Sequence, residues 1–89
     1  MGSYLGSAAA FTIAANCDEL YELGLAYATG SQGLGIDLVS AHQWFNLAAL
    51  RGSEEAHHCR ADIACEMTAR QIGEAQRRAR AWLSDLRMQ

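Results

Sequence analysis

Between Leu23 and Ala56 the chain reads Leu23-Gly24-x2-Tyr27-x2-Gly30 and then Asp37-x3-Ala41-x2-Trp44-Phe45-x2-Ala48-Ala49-x2-Gly52-x3-Ala56. This lattice of small and aromatic residues constrains the fold more than any other part of the sequence. Small side chains at helical intervals let two helices approach closely, and aromatic rings fill the space between that pair and the next. Pro is absent, and each patterned segment repeats with a period near 3.6 residues, so no strand is required. The sequence predicts an all-α chain of about four to five helices arranged as antiparallel hairpins.

Helix boundaries follow from capping chemistry. Tyr4, Ala8, Phe11 and Ala15 fall on one face of a first helix. Asn16 and Glu19 form a capping box that opens a helix over about 18–29, with Leu20, Leu23, Gly24 and Tyr27 as its stripe and Gly30 as its stop. Asp37 caps a helix over about 38–51 whose inward face is Leu38, Ala41, Phe45, Ala48 and Ala49, with Gly52 as a left-handed terminator. Ser53 caps the next helix, with Glu54 and Glu55 in its first turn and Ala56, Cys59, Ile63 and Met67 on one face. Thr68 and Gln71 form a second capping box before a long last helix striped by Ile72, Ala75, Ala79, Trp82, Leu83 and Leu86.

A length of 89 residues bounds the chain to one domain, and 51% hydrophobic with 19% charged residues marks it as folded rather than disordered. No apolar run reaches the roughly 18 residues a membrane span needs, so no membrane partner is expected. Residues 1–17 carry no charged side chain, yet no basic stretch precedes Ala8-Ala9-Ala10-Phe11, which argues against a secretory signal and makes the cytoplasm the expected compartment. Cys17, Cys59 and Cys65 have neither disulfide-framework nor zinc-module spacing, as expected of free thiols.

Self-comparison aligns Ala41-x2-Trp44-Phe45 with Ala79-x2-Trp82-Leu83 at an offset of 38 residues. Together with Gly33-Leu34-x2-Asp37 and the Gly-rich loop, the motifs from Leu23 to Ala56 resemble a Sel1-like repeat, a tetratricopeptide-like unit. The match covers about 19–56 well, and about 57–86 resembles a degenerate capping repeat in which Arg60-Ala61 stands where Leu-Gly is the family pattern. Met67 to Trp82 is similar to the closing segment of bacterial Sel1-like proteins. The resemblance implies an α-solenoid that serves as a scaffold for protein complexes, without catalytic residues or cofactors. Its repeat-structural positions here are Leu23, Gly24, Tyr27, Gly30, Asp37, Ala41, Trp44, Phe45, Ala48, Ala49, Gly52, Ala56 and Trp82.

The remaining chemistry is sparse. Trp44 and Phe45 share a face with Ala41, Ala48 and Ala49 and read as core rather than as a ligand-stacking pair. His58, Asp62 and Cys65 lie along one helical strip, but a structural zinc site uses four ligands, so no metal is expected. No motif places a base beside a cysteine, and Gly30, Gly33 and Gly35 lack the Lys-Ser/Thr signature of a phosphate loop. All seven basic residues are Arg, and five of them lie in residues 67–89, although net charge is −3. The last helix is expected to carry no single Arg stripe, because Arg77 and Arg78 point opposite Ile72 and Ala79 while Arg80 and Arg87 share a flank; nucleic acid is disfavoured as a partner.

The expected job is non-enzymatic protein–protein interaction. Glu22, Leu25, Ala26 and Thr29, off the Leu20-Leu23-Tyr27 stripe, are the expected partner-binding surface on the first helices of each pair. The alternatives are a homodimer built through the apolar N-terminal segment, and a polyanion-binding module using the Arg-rich last helix.

Overall fold

The computed structural model describes residues 16–87, and among these every regular element is helical. Four helices follow in order: α1 (Cys17–Thr29), α2 (Leu38–Leu50), α3 (Glu54–Ala64) and α4 (Ala69–Arg87). The further helix expected around Tyr4 to Ala15 lies outside the described residues.

Each N-terminus is closed by the side chain the sequence supplies for it. The Asn16 side chain accepts from the Glu19 N–H at 2.9 Å, and Glu19 Oε1 accepts from the Asn16 N–H at 3.1 Å. Asp37 accepts from both the N–H and the hydroxyl of Ser40, and Ser53 Oγ accepts from the Ala56 N–H. Thr68 and Gln71 exchange the same reciprocal pair at 2.9 and 3.1 Å ahead of α4. These bonds satisfy amides that have no partner inside their own helix.

Two glycines end helices by left-handed backbone. Gly30 has φ +74°, and the Gly30 and Ser31 N–H groups both return to the Ala26 carbonyl. At the end of α2, Gly52 has φ +107°, its N–H reaches the Ala49 carbonyl, and the Ser53 N–H reaches that of Ala48. The second pattern is a Schellman turn, which redirects the chain within two residues and places Ser53 at once to cap α3.

Packing is organised around α2. Its closest neighbours are α1, α3 and α4, with a smaller contact between α1 and α3. The last two helices are held through α2 more than through each other. Phe45 and Leu20 are the largest fully buried side chains, joined by Ala41, Leu47, Ala48, Ala56 and Ala79 in one core. At the α1–α2 crossing the Phe45 ring occupies the space a side chain at Gly24 would need: a Cβ there would sit 2.5 Å from Phe45 Cδ1.

Two contacts between neighbouring helices join residues 38 apart. Tyr21 on α1 lies with its hydroxyl 3.8 Å from Cys59 Sγ on α3. Trp44 on α2 and Trp82 on α4 have ring centroids 5.6 Å apart at 55°. The same offset that relates the sequence to itself therefore also relates residues that touch.

Because α2 meets a helix on three sides, burial spreads beyond its expected stripe. His42, Gln43 and Leu47 are buried together with Ala41, Phe45 and Ala48. Trp44, expected in the core, is half-buried, and Leu23 likewise.

Candidate functional site

The face of α1 turned from the core presents Asp18, Glu22 and Thr29, with Leu25 half-buried beside them. Thr29 Oγ1 donates to the Leu25 carbonyl at 2.8 Å and lies within hydrogen-bond distance of the Ser31 hydroxyl, at 3.1 Å, which pins the end of this strip. Ala26 does not belong to it. It is 1% exposed, because its position on α1 falls between the exposed strip and the helix end where the chain folds back on the Ala26 carbonyl. The expected surface of Glu22, Leu25, Ala26 and Thr29 is thus corrected to Glu22, Thr29 and the outer edge of Leu25, whose remainder packs on the core.

Beside this strip Glu19, Glu22, Leu23 and Gln32 line an open groove of about 230 Å³. Gln32 reaches it from a left-handed backbone, φ +59°, uncommon for a residue with a side chain. Glu22 forms no hydrogen bond or ion pair among the described residues, while Glu19 is half-committed to its cap. A second depression of about 370 Å³ is lined by Ala49, Gly52, Ser53, Glu54, His57 and His58, where α2 turns into α3. His57 Nδ1 lies 2.8 Å from an Arg60 nitrogen, and the same guanidinium donates to Asn46 Oδ1 on α2.

No protein-family model, curated protein or solved structure matches this chain.

The chemistry of this surface therefore rests on its own residues. His58 and Asp62 on α3 and Cys65 just past its end are all exposed, and Cys65 Sγ turns back to the Ala61 carbonyl at 3.6 Å. Among the described residues no three His, Cys, Asp or Glu side chains converge to hold a metal ion. Cys59 is half-buried against Tyr21. Hydrogen bonding to Cys59, then burial, raises the Tyr21 phenol above its usual range.

The arginines of α4 are arranged differently from the expectation. Arg77 and Arg78 both bind Glu74, at 2.7 and 3.0 Å, and these hydrogen bonds hold the Glu74 carboxyl below its usual range. Arg70, Arg77 and Arg80 are nevertheless all exposed and, at about 100° per residue, fall within a sector of about 80° on one side of α4. They form the stripe that comparing Arg77 only with Arg78 conceals. Its signal was present in the sequence as the spacing i, i+7, i+10.

One buried group was not anticipated. His42 is 3% exposed, and its Nδ1 finds no hydrogen-bond partner among the described residues. Burial, and then the Arg60 charge, lower its pKa from the ordinary value of 6.5. A base whose folded pKa is depressed binds fewer protons folded than unfolded, so folding stability falls as pH drops below about 6.5. His42→Leu removes both the orphaned nitrogen and this linkage. Its stability relative to the parent, measured by urea unfolding, is expected to improve steadily from pH 7.5 to pH 5; a gap that stays constant with pH would show that His42 does not titrate in this range.

Proposed function

We propose that this chain is a small Sel1-like helical-repeat protein that acts without catalysis, as a cytoplasmic interaction module. On this reading α1–α2 is the well-formed hairpin repeat and α3–α4 the degenerate capping pair, two steps of a short α-solenoid. The observation that carries it is the pair of contacts at one offset, Tyr21 with Cys59 and Trp44 with Trp82. In a repeat stack equivalent positions of successive units lie side by side, and two contacts at one offset support that reading.

The partner is another protein, bound on the outward strip of α1. Glu22 and Thr29 supply polar contacts there and Leu25 an apolar edge, a combination suited to a helix or an extended segment laid across repeats. No helix among the described residues is long and apolar enough to cross a membrane.

The reading is tested by site-specific photo-crosslinking in cells that produce the protein. A crosslinker at Glu22 or at Thr29 should yield a discrete protein adduct, and one at Asp62, exposed on α3, should not. Equal labelling from all three positions, or none from any, would reject α1 as the partner surface.

A further inference from the structure

The two contacts at offset 38 also define the ends of the stack. Tyr21 points from α1 to α3, so the side of α1 about 160° away is an end face; it carries Glu19 and Leu23, and Glu22, about 100° from Tyr21, edges the groove these two line with Gln32. Trp82 points from α4 to Trp44 on α2, so the side of α4 about 140–180° away is the opposite end face; it carries Gly73, Arg77, Arg80 and Ser84. One end is acidic and grooved, the other basic and partly lined by small residues.

Among the described residues no ion pair joins the two ends, and within α4 Arg77 is shared with Glu74 while Arg80 is not. The two helices pack on α2 from different sides, and residues 1–15 contain no charged side chain. Glu22 and Arg80 each lack an ion-pair partner among the described residues. Their spacing matches as well: Glu19 and Glu22 are i, i+3, as are Arg77 and Arg80, so each pair is separated by about 4.5 Å along its helix.

We propose that copies of this chain stack head to tail, the Arg77–Arg80 face of one on the Glu19–Glu22 groove of the next. The inference rests on the stacked-repeat reading above and adds an occupant for the ends of the stack. An end-to-end contact of this kind is heterologous, so it grows into open chains rather than closing at a dimer. Rim charges of this type act through steering and register, and salt weakens them.

The test is sedimentation velocity of the whole chain over a wide concentration range, in about 20 mM and about 0.5 M salt. At low salt the parent's mean mass should rise with concentration past that of a dimer, and at high salt it should fall back toward the monomer. Glu22→Arg and Arg80→Glu lie at exposed positions and should keep parental helicity by circular dichroism, yet each alone should weaken association at least about tenfold by placing like charges together. Mixed in equal amounts, the two variants should associate again, because each supplies the charge its partner now needs.

A parent that stays monomeric at every concentration, or single variants that associate as the parent does, would overturn the inference. So would a mixture that regains nothing, since the two residues would then not face each other. A monomer retained on heparin through Arg80 would identify the basic face as a polyanion site instead. None of these outcomes alters crosslinking from Thr29, so failure of self-stacking and failure of the partner-binding reading are read separately.

Discussion

Replacing Phe45 with alanine is expected to remove about half of the chain's stability and to move its urea transition to much lower denaturant. The ring is 0% exposed at the crossing of α1 and α2, packs on Tyr21 at a centroid distance of 5.8 Å, and fills the recess left by Gly24. Truncating a buried Phe costs about 3–5 kcal/mol, from lost transfer energy and the cavity that remains. A domain of this length holds on the order of 5–10 kcal/mol in total. Collapse of the cavity offers little relief, because Gly24 has no side chain to move into it. Phe45→Leu keeps most of the volume and should remain folded with a lowered midpoint; an alanine variant as stable as the leucine one would contradict the placement of this ring.

The second large effect comes from the other side of the same contact. Gly24→Val should lower the thermal midpoint by about 10 °C or more, since overpacking a closed core costs about 1–3 kcal/mol and each kcal/mol moves the midpoint of a small domain by about 4–8 °C. The new Cβ would lie 2.5 and 2.6 Å from two Phe45 ring carbons, and the buried ring has no free space into which to retreat. Helix propensity alone predicts the reverse, because glycine is the poorer helix former by up to about 1 kcal/mol. Gly73 in α4 separates the two effects: only the mobile end of Arg77 approaches its would-be Cβ, at 3.5 Å. Gly73→Ala should therefore be neutral or stabilising while Gly24→Ala destabilises. In a Phe45→Leu background the penalty at Gly24 should shrink or reverse, the coupling expected of residues that share one space.

The helices and their caps were legible in the sequence because their signals are local. Asn16 with Glu19, Asp37, Ser53, and Thr68 with Gln71 each act within three residues, and each makes the bond its position suggests. The close crossing at Gly24 was legible too, since a glycine inside a helix stripe has few other reasons to be there. What periodicity missed depends on how many neighbours a helix has. A single stripe describes a helix covered on one side, whereas α2 is covered on three, so His42 and Gln43 are buried despite lying off the stripe. Ala26 was misplaced because the wheel of α1 takes no account of the chain folding back at its end. The Arg70, Arg77 and Arg80 spacing was already present in the sequence, whereas which outer sides of α1 and α4 bear opposite charge followed only from the Tyr21 and Trp82 contacts.

The central position of α2 bears on how this chain opens. In an extended array each repeat touches only the units before and after it, so one end can fray while the rest persists. Here α1, α3 and α4 all take their main support from one helix of 13 residues. Its backbone amides, around Ala41 to Ala48, are expected to exchange with solvent only when the whole structure opens, because the loss of any one flanking helix exposes a face of the element that holds the other two. The chain is therefore expected to open as a single cooperative unit rather than fray from one end.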